Sequence, residues 1–187
     1  MQKEFDRFKE WLRANYKEGL DDLNPPASNE EIKELSDTLG LVLPNDLICL
    51  LKIHNGQKGE AAWLFDSQEF LSTHGIIDAW NNWNRFSQTN TFPQKPAISD
   101  EGIKDVLWNK KWIPFSSNGS GDHYCIDLDP TSSGISAQII TLWHDYEERE
   151  LVSLSLKDWF NDYLEQLFSG DFFYSKEYNS IVNKNEI

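Results

Sequence analysis

The sequence is short of positive charge, cysteine and long apolar runs, and each shortage removes a class of function. Lys and Arg number 17 against 31 Asp and Glu, a formal net charge of −14. A field of that sign repels nucleic-acid phosphates and anionic lipid and draws basic partners. Two cysteines in 187 residues make no disulfide framework. Cys49 sits in an apolar run, which predicts a buried, inert thiol, and Cys125 in a strand-like stretch. Nothing approaches the ~18 consecutive apolar residues of a membrane span. No charged-then-apolar leader is visible at Met1-Gln2-Lys3-Glu4-Phe5. The expectation is a soluble cytoplasmic protein. Four histidines without metal-ligand spacing give no zinc signature, and no cofactor is implied.

What is plentiful is aromatic mass, 13% of the chain with eight Trp, enough for a sizeable core. Phe5, Phe8, Leu12 and Tyr16 recur at helical spacing, with Gly19 as the stop. After the Pro25-Pro26 linker, Ser28-Asn29-Glu30-Glu31 forms a capping box for a helix through Ile32, Leu35 and Leu39, closed by Gly40. Pro44 opens another helix. Its Leu47, Ile48, Leu50, Leu51 and Ile53 cover much of the circumference and predict burial on more than one side. Residues 61–65 suggest a short strand, 67–87 a helix striped with Ile76, Trp80, Trp83 and Phe86, and 88–101 a loop with two prolines.

The second half changes character. Residues 112–116, 123–129, 137–144 and 151–154 are strand-like, separated by Gly, Ser, Asp and Pro clusters. Ser155 then caps a closing helix carrying Leu156, Trp159, Phe160, Tyr163, Leu164 and Leu167 on one face. Beyond Gly170 the periodicity fades, which predicts a frayed tail over 171–187. Helices, then hairpin-linked strands, then one helix predict a single α+β domain with a mostly antiparallel sheet.

The richest chemistry lies in WIPFSSNGSGDHYCIDLDP, residues 112–130. Its glycines precede a strand, without the third glycine of a dinucleotide fingerprint or the Gly-Lys-Ser/Thr of a P-loop. His123, Cys125, Asp127 and Asp129 share one face of a strand, and Tyr124, Ile126 and Leu128 the other. The polar set is therefore expected toward solvent or an edge. It could hold a hard cation, but no second ligand cluster completes it. A structural hairpin strand is the stronger reading, and a partner-contact strand the next. No orienting third group accompanies Cys125 and His123, so nucleophilic catalysis gains no support. The tryptophans sit mostly on inferred core faces, yet Trp and Tyr also anchor protein interfaces. The residue chemistry favours a binding module over an enzyme.

Leu43-Pro44-Asn45-Asp46 with Ile53-His54-Asn55-Gly56-Gln57 resembles the first signature of the SUKH superfamily, in its Smi/Knr cell-wall-regulator branch. Trp112-Ile113-Pro114-Phe115, Gly119, Gly121-Asp122, Cys125, Asp127 and Asp129-Pro130 resemble its second. Gln138-Ile139-Ile140 with Trp143-His144-Asp145 resembles the third, and 155–167 the closing helix. The resemblance implies an α+β domain over 25–170, with a curved, mostly antiparallel sheet flanked by helices, preceded by a helical extension over 1–24. It also implies a non-enzymatic protein binder. Bacterial relatives are mainly immunity proteins that neutralise toxins, and fungal relatives regulate cell-wall synthesis. The expected partner is a cognate toxin domain, basic and nuclease-like; the alternative is a scaffold or regulatory module without a toxin. The family offers no catalytic residues to carry over. Charge and loop or helix-end position nominate Asp66, Asp78, Asp122, His123, Asp145 and Glu147 as partner contacts. The sequence leaves the partner's identity, the binding face and the oligomeric state open.

Overall fold

The computed structural model describes residues 1–93 and 95–185. Among these residues six helices run in order: α1 (Gln2–Asn15), α2 (Lys17–Asp21), α3 (Asn29–Leu39), α4 (Asn45–Ile53), α5 (Thr73–Ser87) and α6 (Leu156–Ser169). The strands are β1 (Glu69–Phe70), β2 (Ile98–Ser99), β3 (Trp112–Pro114), β4 (Ser116–Ser117) and β5 (His123–Asp127), followed by β6 (Gln138–Leu142), β7 (Glu148–Arg149), β8 (Leu151–Ser153), β9 (Phe172–Ser175) and β10 (Ser180–Asn183). The central sheet has the order β3-β5-β6-β8 and is antiparallel throughout, with a register shift at Ile139/Ile140. Such a bulge bends the strand that carries it. Two further pairs, β1 with β4 and β9 with β10, are antiparallel, while β2 and β7 run parallel. The fold is α+β, as expected.

The capping box of α3 forms as the sequence predicts, but Gly19, the expected stop of the first helix, lies buried inside α2, and α1 ends at Asn15. Ser28 accepts from Glu31 N while the Glu31 carboxylate accepts from Ser28 N, a reciprocal box that starts α3. Gly40 ends α3 and Gly170 ends α6, both in left-handed backbone.

The central sheet is buried on both faces. Ile113, Phe115, Ile126 and Ile139 face the main core, with Phe5 and Phe8 of α1, Leu47 of α4 and Trp159 and Phe160 of α6. Trp112, Cys125, Ile140 and Leu142 face a second, smaller core closed by Trp83 and Ile103. This corrects the expectation of a solvent-facing polar set on β5. His123 is 4% exposed and Asp127 and Cys125 are fully buried, because α5 and the chain before β3 cover that face. A strand buried on both faces loses the simple in-out alternation.

Further expectations need correction: the helix expected over 67–87 begins at Thr73, capped by Ser72, and β1 precedes it. Residues 61–65 form isolated bridges at Trp63 and Phe65 rather than a strand. The buried Gln57 amide takes the place of a neighbouring strand, accepting from Leu64 N and Phe70 N and donating to Ala62 O and Asp22. Cys49 is exposed, since α4 buries only Leu47, Leu50 and Leu51 and Cys49 falls on the opposite side. The loop over 88–101 contains β2.

Nor does the segment after Gly170 fray. It folds into the β9–β10 hairpin, with Ile181 in the main core and Tyr174 stacked on Tyr16 at 3.8 Å. Lys184 and Asp171 close its base. Glu186 and Ile187 lie outside the described residues. Residues 1–24, set apart in the sequence as an extension, place Phe5, Phe8, Trp11 and Leu12 in that same core.

No helix among the described residues is long and apolar enough to cross a membrane.

Candidate protein-binding groove

Where β5 meets the chain following β6, a groove of about 630 Å³ is walled by Asp66, Tyr124, Trp143, Tyr146, Glu148 and Glu150. Each wall has its own local cause. Asp66 and Ser67 occupy a two-residue turn closed by reciprocal backbone bonds, Phe65 N to Gln68 O at 2.9 Å and Gln68 N to Phe65 O at 2.8 Å. Both residues have positive φ, 45° and 58°, as the primed hairpin turns require. Neither is glycine, so the turn carries backbone strain. The Asp66 carboxylate accepts from Tyr124 Oη at 2.9 Å, which holds it at the groove floor. Tyr124 in turn meets Trp143 edge-on at 5.5 Å and lies 5.6 Å from Trp159 of α6.

Arg149 supports the opposite wall from beneath. It is 1% exposed. Its guanidinium donates to Tyr146 O at 2.9 Å, Glu148 O at 2.6 Å and Leu107 O at 2.9 Å. Those bonds fix the turn that presents Tyr146, which is 63% exposed. Because successive strand residues point opposite ways, a buried Arg149 turns Glu148 and Glu150 outward, and both are exposed.

A second hollow of about 270 Å³ also has Asp66 and Tyr124 in its wall and extends to Trp159, Asp162 and Gln166 of α6. The hydrogen-bonded Asp66–Tyr124 pair thus lines both depressions.

Asp122 forms the far wall. Its Oδ1 accepts from His144 N at 2.7 Å and meets His144 Nδ1 at 2.8 Å, while Oδ2 accepts from Asn118 at 2.6 Å. Burial alone would raise its pKa, but these bonds outweigh it and the carboxyl is lowered, so it stays charged. The turn itself needs Gly121, whose φ is 108° and whose Cβ would press on His144 at 3.2 Å.

Of the six nominated residues, Asp66 and Asp122 share this groove. Asp145 and Glu147 flank it on the 143–147 turn, Asp145 paired with His144 Nε2 at 3.0 Å and Glu147 with Lys95. Asp78 is on α5 and pairs with His74 at 3.4 Å. His123 does not reach the surface. Its Nδ1 lies 2.7 Å from Ser116 O, and burial lowers its pKa, so it is a neutral internal residue. Strand alternation puts Tyr124 on the apolar face, and charge with loop position does not single out Glu148 and Glu150. The signal for the latter is the Glu-Arg-Glu alternation at 148–150.

The carboxylates at the end of β5 are structural. Asp127 accepts from Trp112 Nε1 at 3.0 Å, Gln138 Nε2 at 3.0 Å and Asp129 N at 2.8 Å. Asp129 is held by Asn109 at 2.9 Å, Lys104 at 2.7 Å and Lys111 at 3.3 Å. No group of three or more His, Cys, Asp or Glu among the described residues is placed to hold a metal ion.

Fold and groove together define an α+β domain that presents an acidic, aromatic concavity beside a doubly covered sheet. The sequence profile of the SMI1 / KNR4 family (SUKH-1) matches residues 26–162, and the chain belongs to that family. It is 24% identical to the glucan synthesis regulatory protein of Neurospora crassa, over 95% of this chain and 40% of that protein. It is 21% identical to the cell wall assembly regulator SMI1 of Saccharomyces cerevisiae, over 81% of this chain and 37% of that one. A 69-residue stretch is 35% identical to the uncharacterized protein YnaB of Bacillus subtilis, covering 37% of this chain and 40% of YnaB. The chain therefore spans about two fifths of the length of the two fungal regulators.

Proposed function

We propose that this chain is a non-catalytic protein-interaction domain with a regulatory role, and that its partner binds in the groove between Asp66 and Tyr146. The observation that carries the reading is the convergence of Tyr124, Trp143 and Tyr146 with carboxylates in one open concavity. Aromatic residues in such a setting are the usual anchors of protein interfaces. The relatives in the comparisons are named as regulators of glucan synthesis and of cell-wall assembly. Those names favour the scaffold or regulatory alternative over the toxin-immunity reading, for which they offer no support. A cytoplasmic location belongs to the same proposal.

The test is capture of partners by the tagged protein and by its Trp143→Ala/Tyr146→Ala variant from the organism that encodes it. A partner held by the parent protein and lost by the variant supports the reading. A partner held equally by both removes the groove from the interaction.

A further inference from the structure

Resting on that reading of the groove, we infer that its occupant is an extended, basic segment of the partner, seated through arginine. Glu148 and Glu150 are exposed at the rim, and no Lys, Arg or His among the described residues lies within ion-pair distance of either. The neighbouring carboxylate of Glu147, by contrast, is answered internally by Lys95. Two carboxylates without an ion-pair partner among the described residues therefore line the same groove as Trp143, Tyr146 and Asp122.

Carboxylates alone would attract any cation. Carboxylates beside aromatic faces select a planar one, because a guanidinium stacks on a ring while its edge N–H groups bond two carboxylate oxygens. A lysine ammonium satisfies only the charge. The length of the site argues for a chain rather than a single small cation. The hollow that shares Asp66 and Tyr124 with the groove has Asp162 in its wall, so a second basic side chain has a carboxylate to meet there. The overall charge of −14 would steer such a segment inward and speed its association.

The probe is a fluorescein-labelled octapeptide of alternating Gly, Ser and two Arg, compared with its citrulline twin by anisotropy. The arginine peptide is expected to bind, the citrulline twin to bind roughly tenfold more weakly or worse, and added salt to weaken the former. Glu148→Lys/Glu150→Lys is expected to abolish binding. Glu34→Lys/Asp78→Lys, an equal change of net charge on α3 and α5, is expected to leave most of it. Equal binding of the two peptides, or equal loss in both double variants, overturns the inference. If Trp143→Ala/Tyr146→Ala loses the natural partner but Glu148→Lys/Glu150→Lys keeps it, the groove remains the interface and the basic occupant is refuted. If both variants keep the partner, the interface itself is refuted.

Discussion

Two acidic regions of this molecule look alike as sequence and differ in what surrounds them. Asp127 and Asp129 end β5, and each is saturated from within, Asp127 by three neutral N–H donors and Asp129 by two lysines and an amide. Burial raises the pKa of Asp127 against the pull of those donors. Glu148 and Glu150 form no ion pair among the described residues and are exposed in the groove lined by Trp143 and Tyr146. The first pair holds the fold together. The second is available to something outside it. The lesson is that a carboxylate's partners, rather than its spacing, separate architecture from interface.

The comparison breaks most visibly at Asp127. Asp127→Ala would strand three donors in a region closed to water and should cost about 3 kcal/mol. Urea unfolding measures this, and a loss under about 1 kcal/mol would mean that water replaces the carboxylate.

Asp129 comes next. Its hydrogen bonds to Asn109 and Lys104 bring its pKa down to about 2 from the usual 3.8. The unfolded chain therefore takes up this proton before the folded one does. The contribution is complete above pH ~4 and disappears as pH falls toward ~2. Since the site is near the surface, Asp129→Ala should cost only about 1 kcal/mol at neutral pH. It should also flatten the acid limb of the stability profile, and an unchanged limb would contradict the assignment.

Ser67→Gly should raise stability by about 0.5 kcal/mol, because glycine adopts positive φ without strain. Partner binding should not change while Asp66 keeps its carboxylate in place. Smallest of all, Glu148→Gln/Glu150→Gln should shift stability by less than about 0.5 kcal/mol. A large destabilisation there would erase the contrast between the two regions.

The capping box of α3 and the closing helix were legible from local spacing, as was the antiparallel strand set, whereas Gly19 lies inside α2 rather than ending α1 and α5 begins at Thr73 rather than near Ser67. What could not be read was burial set by distant segments. Alternation along 123–129 sent His123, Cys125 and Asp127 to solvent, because nothing local announces that α5 and Ile103 close over that face. The same rule sent Tyr124 to the core, whereas it lines a groove beside a positive-φ turn at Asp66 and a 143–147 turn held by the buried Arg149. Gln57 shows the converse. One buried amide replaces the backbone pairing that the apolar run at 61–65 would otherwise seek. After Gly170 the alternation is short, and only contact with Trp63, Tyr16 and the main core makes β9 and β10 a hairpin.

The account stands on the groove being the surface that a protein partner occupies. A photo-crosslinking amino acid placed at Trp143, and separately at Asp78 on the exposed side of α5, tests this in the organism that encodes the chain. The prediction is a discrete adduct with one protein from position 143 and none from position 78. An adduct from position 78 with none from position 143 would contradict it.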